Sequence, residues 1–257
     1  MSKSRVVLQP AYVIHSRPYR DTSALLELFT PEYGRVGLIA KGIRSAGSKL
    51  RLIIQPFSPL LVSWSGKGEL VSLNTAESQG RVKLLKAEAL ACGLYINELI
   101  MRLTHRDEPQ IELFSIYDVS LRELGELAVR ESENIRLQQI LRHFEVNLLN
   151  CLGYGLVLEQ EAGGYDRVRS EIMYDFQLEN GPVAYNNPLQ QTYGIKISGK
   201  TLLALAHNRL PDHSTDLEVY KEAKYLLRFV LDRYLGNKPL TSRQLLRGKS
   251  TIPNADH

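Results

Sequence analysis

Residues 12–51 read YVIHSRPYRDTSALLELFTPEYGRVGLIAKGIRSAGSKLR and decide the fold. Apolar and polar positions alternate at 12–16, 23–30 and 35–41, which predicts three strands, because successive side chains of a strand point to opposite faces. Arg or Lys stands at nearly every turn between them. Short strands joined by basic turns predict a small barrel with a positively charged rim, a surface suited to phosphate groups.

The strand pattern continues past this stretch and then stops. Residues 42–49 predict a flexible basic loop, and strands return at 60–65 and 69–74 on either side of a glycine turn. Five short strands favour an OB-type barrel, although the pattern alone leaves another small barrel open. We therefore predict that residues 1–80 form the first domain.

Beyond residue 80 the apolar spacing changes from two residues to about 3.6, which predicts helices. Each helix has one strongly apolar side, so the helices must pack together, and the pattern predicts a helical bundle. The predicted helices cover residues 87–103, 109–124, 133–152, 198–208 and 216–235, and a last short helix begins at Thr241 or Ser242.

Residues 163–197 interrupt the helical pattern. Two paired glycines, strand candidates at 172–178 and 183–185, and a turn between them predict an inserted β-hairpin. The predicted fold class is therefore α+β: an N-terminal five-stranded OB-fold barrel followed by an α-helical bundle domain at 81–248 with this small inserted β-hairpin. A flexible tail is predicted at 249–257.

Charge is distributed unevenly along the chain. The whole sequence has 32 basic and 28 acidic residues, but the first 80 residues contain ten basic and only five acidic side chains. Such asymmetry indicates an anionic partner for the N-terminal part. No apolar run is long enough for a signal peptide or a membrane span, so we expect a cytoplasmic protein without membrane association.

The basic residues of the predicted barrel support a nucleic-acid-binding hypothesis. Long cations at strand ends and loops can reach a sugar-phosphate backbone, while Tyr19, Tyr33 and Trp64 offer rings on which bases could stack. The alternative is that the cations only solubilise the surface and the aromatics belong to the core, and Trp64 fits the core better. The candidate DNA-binding residues are Arg17, Arg20, Arg35, Lys41, Arg44, Lys49 and Arg51.

Nothing in the sequence marks an enzyme or a metal protein. The six histidines lack metal-ligand spacing, and no Gly-x-Ser-x-Gly or paired-carboxylate pattern is present. Cys92 and Cys151 both lie in apolar helical patterns and are expected to be buried free thiols. We expect no catalytic residues, no metal and no cofactor.

The third predicted helix contains a second candidate site. Arg142, beside exposed parts of Leu141 or Phe144, could bind a peptide that ends in acidic and apolar residues. The alternative is a helix-surface arginine that pairs with Glu145 or Glu133.

A set of short strings, in order along the chain, resembles the RecO family of bacterial DNA repair and recombination mediators. No one string is specific, but the combined set is. The strings are HSRPY at 15–19, FTxxxGRV at 29–36, AKGxRS at 40–45, QPF at 55–57, GLYINEL at 93–99, ELF at 112–114, LGYG at 152–155 and KPLxSR at 238–243.

This resemblance implies an N-terminal OB-fold, a helical domain and a mechanism without bond chemistry. The expected activities are binding of single- and double-stranded DNA, annealing of complementary strands, and loading of RecA, together with RecR, onto strands covered by single-strand-binding protein. The resemblance also implies a receptor for the acidic, apolar-ended C-terminal tail of single-strand-binding protein, which favours the peptide site at Arg142. It further implies association with the nucleoid when DNA is bound.

One departure from the family pattern concerns zinc. Many members have four cysteines in the region that corresponds to 163–187, and this chain has none there, so zinc is not expected. Two rival functions remain at this point: a general OB-fold protein that binds single-stranded nucleic acid without a mediator role, and an enzyme that acts on nucleic acid.

Overall fold

The computed structural model describes residues 4–80, 84–127, 133–185, 191–211 and 216–247. It divides into two compact units. The first comprises residues 1–126 and 239–257, and the second comprises residues 127–238. The predicted tail at 249–257 lies outside the described residues, and the predicted boundaries at 80 and 248 stay predictions.

The first unit contains a closed five-stranded barrel, as the alternating pattern predicted. The strand order is β1-β2-β3-β5-β4, and β1 completes the closure by pairing with β4. A short parallel pairing of Leu38 with Val71 joins β3 to β5. The strands are β1 (Ser4–Tyr19), β2 (Ser23–Thr30), β3 (Gly34–Ala40), β4 (Leu60–Gly66) and β5 (Val71–Ser78). The OB-type barrel is confirmed.

Two barrel segments differ from the prediction. Strand β1 begins at Ser4 because its first half pairs with β4, and a bulge at Leu8, with φ of 50°, breaks the alternation that would have revealed it. Helix α1 (Lys49–Ile53) follows the basic loop, and its Leu50 and Ile53 pack against the barrel core. Trp64 belongs to that core and is 5% exposed.

Two longer helices of the first unit, α2 (Ala87–Leu103) and α3 (Ile111–Glu126), lie against the barrel. The Tyr117 ring packs edge-on against Tyr12 and Phe29, with ring centroids 5.1 and 5.5 Å apart. Such aromatic contacts fix one helix face on the outside of the barrel. These two helices therefore share a compact unit with the barrel.

Helix α7 (Ser242–Arg247) is attached to α2 through Glu98. The Glu98 carboxylate accepts hydrogen bonds from the Thr241 amide at 2.9 Å and the Ser242 amide at 2.8 Å. Burial alone would raise the pKa of Glu98, but the donors from Ser242 and Thr241 outweigh burial and lower it. The charged carboxylate therefore stabilises the start of α7.

Glu98→Gln should lower the free energy of unfolding of the first unit by about 1 kcal/mol at neutral pH. Because the folded pKa of Glu98 is lowered, its contribution is present above the pKa of an unfolded glutamate and is lost as the pH falls through the folded value. Urea denaturation followed by Trp64 fluorescence, at neutral pH and at about pH 4, measures this. A gap between wild type and variant that widens toward acid pH would contradict the assignment.

In its described residues, the second unit combines three helices with a small sheet. The sheet has the order β7-β6-β8, so the predicted hairpin is present and a third strand, Ile195–Ser198, pairs with β6 beside it. This third strand was not predicted, because its pairing with β6 is not visible in a short window of sequence. The elements are α4 (Glu133–Cys151), β6 (Met173–Gln177), β7 (Gly181–Ala184), β8 (Ile195–Ser198), α5 (Gly199–Ala206) and α6 (Leu217–Leu235).

Two carboxylates, buried Asp175 and half-buried Glu222, hold the sheet and the start of α5 in place. Asp175 on β6 accepts hydrogen bonds from the amides of Tyr193 and Gly194, both at 2.9 Å. Glu222 on α6 accepts hydrogen bonds from the Ser198 amide and hydroxyl at the start of α5. The α+β fold class is confirmed. None of the described helices is long and apolar enough to cross a membrane.

Candidate nucleic-acid interface

Two loops meet at one end of the barrel. The β1–β2 turn and the loop after β3 are adjacent because Tyr19 pairs with Ser23 and Ala24 pairs with Ala40. Arg44 joins the loops: its amide donates to the Thr22 carbonyl at 2.8 Å, and its Nη1 donates to the Arg20 carbonyl.

Cations from three segments converge on this end. Arg17 from β1, Arg20 from the turn, and Lys41 and Arg44 from the following loop are all exposed, and we call these four residues the basic rim. The Arg20 guanidinium lies over the Tyr19 ring, 5.1 Å from its centroid. The rim thus combines phosphate-binding cations with a half-buried aromatic ring. Lys49 and Arg51, on α1 immediately after the loop, are exposed as well.

The acidic residues of the same stretch offset little of the positive charge of the basic rim. Asp21 lies in the β1–β2 turn itself, but Glu32 lies in the β2–β3 turn, at the other end of the barrel. Glu27 is 5% exposed and is paired with Arg106, whose Nε and Nη2 lie 3.0 and 2.6 Å from the two carboxylate oxygens. The rim therefore has a local excess of positive charge.

Arg35 is the predicted DNA-binding residue that the structure separates from the others. It lies at the opposite end of β3 from Lys41, its side chain is 13% exposed, and its Nε is 3.5 Å from Glu27. A guanidinium nitrogen also donates to the Met101 carbonyl. Arg35 therefore joins the barrel to α2 and lies apart from the basic rim, and its contact with DNA stays a prediction.

The pKa values of the two arginines at Glu27 shift in opposite directions. Burial lowers the pKa of Arg35, and the Glu27 carboxylate offsets only part of this effect. The pKa of Arg106 is raised, chiefly because it donates both short hydrogen bonds to Glu27. Gly34 lets the backbone at Glu108 approach β3 closely. Its φ is +57°, and a Cβ there would lie 1.9 Å from the Glu108 carbonyl oxygen.

The predicted stacking rings are not brought together. Tyr19 lies beside the rim, but Tyr33 lies in the β2–β3 turn, 38% exposed, with its ring edge-on to buried Trp64 at 5.3 Å. Tyr19 is therefore the one ring of the three that is placed for a base bound at the rim.

The second unit contains a small cavity of about 110 Å³ between α4 and α5. Arg142 lines it but is only 5% exposed, and it is paired with Glu145: Nη2 and Nε lie 2.9 and 2.8 Å from the two carboxylate oxygens. Leu141 and Phe144 are 3% and 0% exposed, so the expectation that parts of them are exposed is wrong: both belong to the core. The lining residues are Arg142, His143, Val146, Asn147, Asn150, Ala204, Leu205, Ala206, Asn208 and Leu210.

The cavity wall supplied by α5 was missed from the sequence, because periodicity does not show which helix packs beside α4. Glu145 was one of the two predicted partners of Arg142, and the side chain of the other, Glu133, lies outside the described residues. Within the described ranges, no group of three or more His, Cys, Asp or Glu side chains is placed to hold a metal ion.

Two family models match the chain. The model described as "Recombination protein O N terminal" covers residues 1–80, and the model described as "Recombination protein O C terminal" covers residues 84–244. This chain belongs to the RecO family. The first match spans the strands of the barrel, so the basic rim lies in the part that the N-terminal model describes.

Curated relatives cover nearly the whole chain. A "DNA repair protein RecO" from Nitrosococcus oceani is 50% identical over 250 residues, which are 97% of this chain and 96% of the relative. Proteins of the same name from Methylococcus capsulatus and Coxiella burnetii are 43% and 40% identical, over 96% and 94% of this chain and 96% and 98% of those relatives. The RecO resemblance drawn from the short strings is confirmed, and the chain is a member of a DNA repair family.

Proposed function

We propose that this protein binds single- and double-stranded DNA through the basic rim and acts as a recombination mediator. The observation that supports this most is the convergence of Arg17, Arg20, Lys41 and Arg44 at one barrel end, with Arg44 joining the two loops. Most of the binding energy comes from phosphate contacts, so affinity should fall steeply with salt and depend little on base sequence.

Annealing of complementary strands follows from the same electrostatics. Two strands whose phosphates are partly neutralised by bound cations repel each other less, so base pairs can nucleate between them. The mediator role adds two partners: RecR, and single-strand-binding protein, whose coated DNA is the substrate onto which RecA is loaded. This proposal needs no bond chemistry, no cofactor and no metal.

An enzyme that acts on nucleic acid is the rival from another class. Incubation of labelled DNA with the protein and Mg²⁺ separates the two, since a mediator leaves the strands intact and anneals them, while a nuclease shortens them. The rival among binding proteins, a general single-strand-binding OB-fold protein, would bind DNA but would not bind the tail peptide of single-strand-binding protein.

The cavity between α4 and α5 supports the proposed tail site. Its lining combines apolar side chains, such as Val146 and Leu205, with the Arg142 guanidinium, which suits a peptide that has an apolar end and acidic residues. Arg142 is already paired with Glu145, so the pair presents less charge than a free arginine. We propose that the apolar end of the peptide enters the cavity while its acidic part stays at the mouth of the cavity.

Asn150 allows a test of this site without disturbing the buried ion pair, because it lines the cavity and is exposed. Asn150→Asp should weaken binding of the acidic tail peptide about threefold to tenfold, and Asn150→Lys should strengthen it, since the two changes place opposite charges at one point. Fluorescence anisotropy with a labelled tail peptide measures both. If the two variants shift the affinity in the same direction, or not at all, the peptide binds elsewhere.

A further inference from the structure

The outer face of α6 presents apolar side chains to solvent. Leu217, Tyr225 and Phe229 are 54%, 64% and 39% exposed. Their spacing in multiples of four residues places them on one side of the helix, with Lys221 between the first two. The face is roughly 18 Å long at the helical rise of about 1.5 Å per residue.

Charged side chains lie beside this apolar stripe, and more of them are basic than acidic. Lys221, Lys224 and Arg233 are exposed and Arg228 is half-buried, against the exposed acids Glu218 and Asp232. Lys221 and Glu218 are 3.2 Å apart, but both side chains are 72% exposed, so water screens their attraction.

Glu222 is the third acid on this helix. Its carboxylate is directed to the start of α5, where it accepts hydrogen bonds from Ser198 and from the Thr201 hydroxyl. This carboxylate therefore binds groups inside the unit, and the exposed side of α6 has four cations and two other acids.

Exposed rings among cations favour single-stranded nucleic acid as the occupant. Bases stack on aromatic faces regardless of sequence, and cations beside the rings bind the phosphates. A single exposed tyrosine needs no explanation, but two aromatic rings one turn apart, with cations on several sides, form a platform. A face built for an apolar protein partner would have fewer charges at its centre.

We propose that the outer face of α6 is a second DNA surface, which binds a single strand through stacking on Tyr225 and Phe229 and through Lys221, Lys224 and Arg228. This inference rests on the proposed annealing function, which needs two strands held at once. The basic rim would hold one strand and α6 the other.

The test variant is Tyr225→Ala with Lys221→Gln, because both side chains are exposed and their loss should not affect folding. Binding of a short oligothymidylate is titrated at low salt. The wild-type protein should bind two oligonucleotides, and in the variant one of the two should bind about tenfold more weakly. Tyr225→Trp should retain both sites, and Tyr165→Ala, which removes a ring that is 97% exposed elsewhere in the same unit, is the matched control.

Photo-crosslinking identifies the residues that contact DNA without a measurement of affinity. Irradiation of the wild-type complex with an iodouracil-substituted strand should label Tyr225 or Phe229, as mapped by mass spectrometry. Annealing of complementary oligonucleotides should slow about tenfold in the α6 variant.

The outcomes separate this inference from the proposed function. If the α6 variant keeps both sites and anneals normally while a rim variant loses binding, the DNA surface on α6 is ruled out. The DNA surface at the basic rim would then remain. Loss of self-association, or of tail-peptide binding, in the α6 variant with DNA binding intact would assign the face to a second copy or to an acidic peptide instead. If neither the α6 nor the rim variant changed DNA binding, both proposals would fail.

Discussion

With Lys41 and Arg44 both replaced by glutamate, we expect the affinity for single-stranded DNA to fall at least about a hundredfold at low salt. The two side chains are exposed, so neither substitution removes a core contact. The hydrogen bond from Arg44 Nη1 to the Arg20 carbonyl would be lost, but the Arg44 amide would still hold the loop to Thr22. The change is therefore electrostatic rather than structural.

The salt dependence should change in a defined way. For single strands, the logarithm of the binding constant falls with the logarithm of salt concentration by about 0.7 for each phosphate neutralised, so losing two contacts should reduce the slope by about 1.4. Annealing should slow in parallel, because it depends on the same neutralisation. Titration of labelled oligonucleotide at several salt concentrations measures both the affinity and the slope.

The control for this variant is Lys196→Glu, which reverses an exposed cation in the other unit. It should leave the slope unchanged if the rim supplies the contacts. A rim variant that binds as wild type does, with the same slope, would remove the basic rim from the mechanism.

The sequence predicted the features of this surface that depend on neighbouring residues, but not those that depend on contacts between residues far apart in the chain. Alternation of apolar side chains is visible in any short window, and it predicted the strands of the barrel and the turns on which Arg20 and Lys41 lie. Strand order and register then bring those turns together, and register is not visible in a window. The contact of Arg44 with Thr22 is a consequence of the pairing of Ala24 with Ala40.

The position of Arg35, apart from the basic rim, was not predicted for the same reason. In the sequence it looks like every other cation of the stretch, and the residues that distinguish it, Met101 and Arg106, are far away along the chain. The prediction of a peptide site at Arg142 was limited in the same way, because it also depended on contacts that the sequence does not show. Helical periodicity marks Leu141 and Phe144 as apolar, but only the packing of α4 within its unit shows that neither side chain reaches solvent.

The second large expected effect is on stability, and it concerns Glu27, the buried acid beside Arg35. We expect Glu27→Leu to lower the free energy of unfolding of the first unit by about 3 kcal/mol, because it leaves the largely buried Arg35 guanidinium without its anion. Arg106 is 37% exposed and can turn to water, so Arg35 accounts for most of the cost. In a chain of this size, the melting temperature should fall by about 6–12 °C.

A double substitution distinguishes charge burial from lost packing. Glu27→Leu combined with Arg35→Met removes both buried charges, and we expect it to recover more than half of the lost stability, since an apolar pair can replace a buried ion pair at little cost. Glu69→Gln is the control: this exposed acid is close enough to influence Arg106, yet its loss should change stability by less than about 0.5 kcal/mol.

Trp64 makes the measurement specific to the first unit. It is the one tryptophan of the sequence and lies in the barrel core, so its fluorescence during urea denaturation follows the barrel even if the second unit unfolds separately. If Glu27→Leu proved as stable as the wild-type protein, Arg35 would not depend on its anion. Arg35 would then not be held as the partner of Glu27, and its guanidinium could leave the carboxylate to pair with a phosphate, as predicted from the sequence.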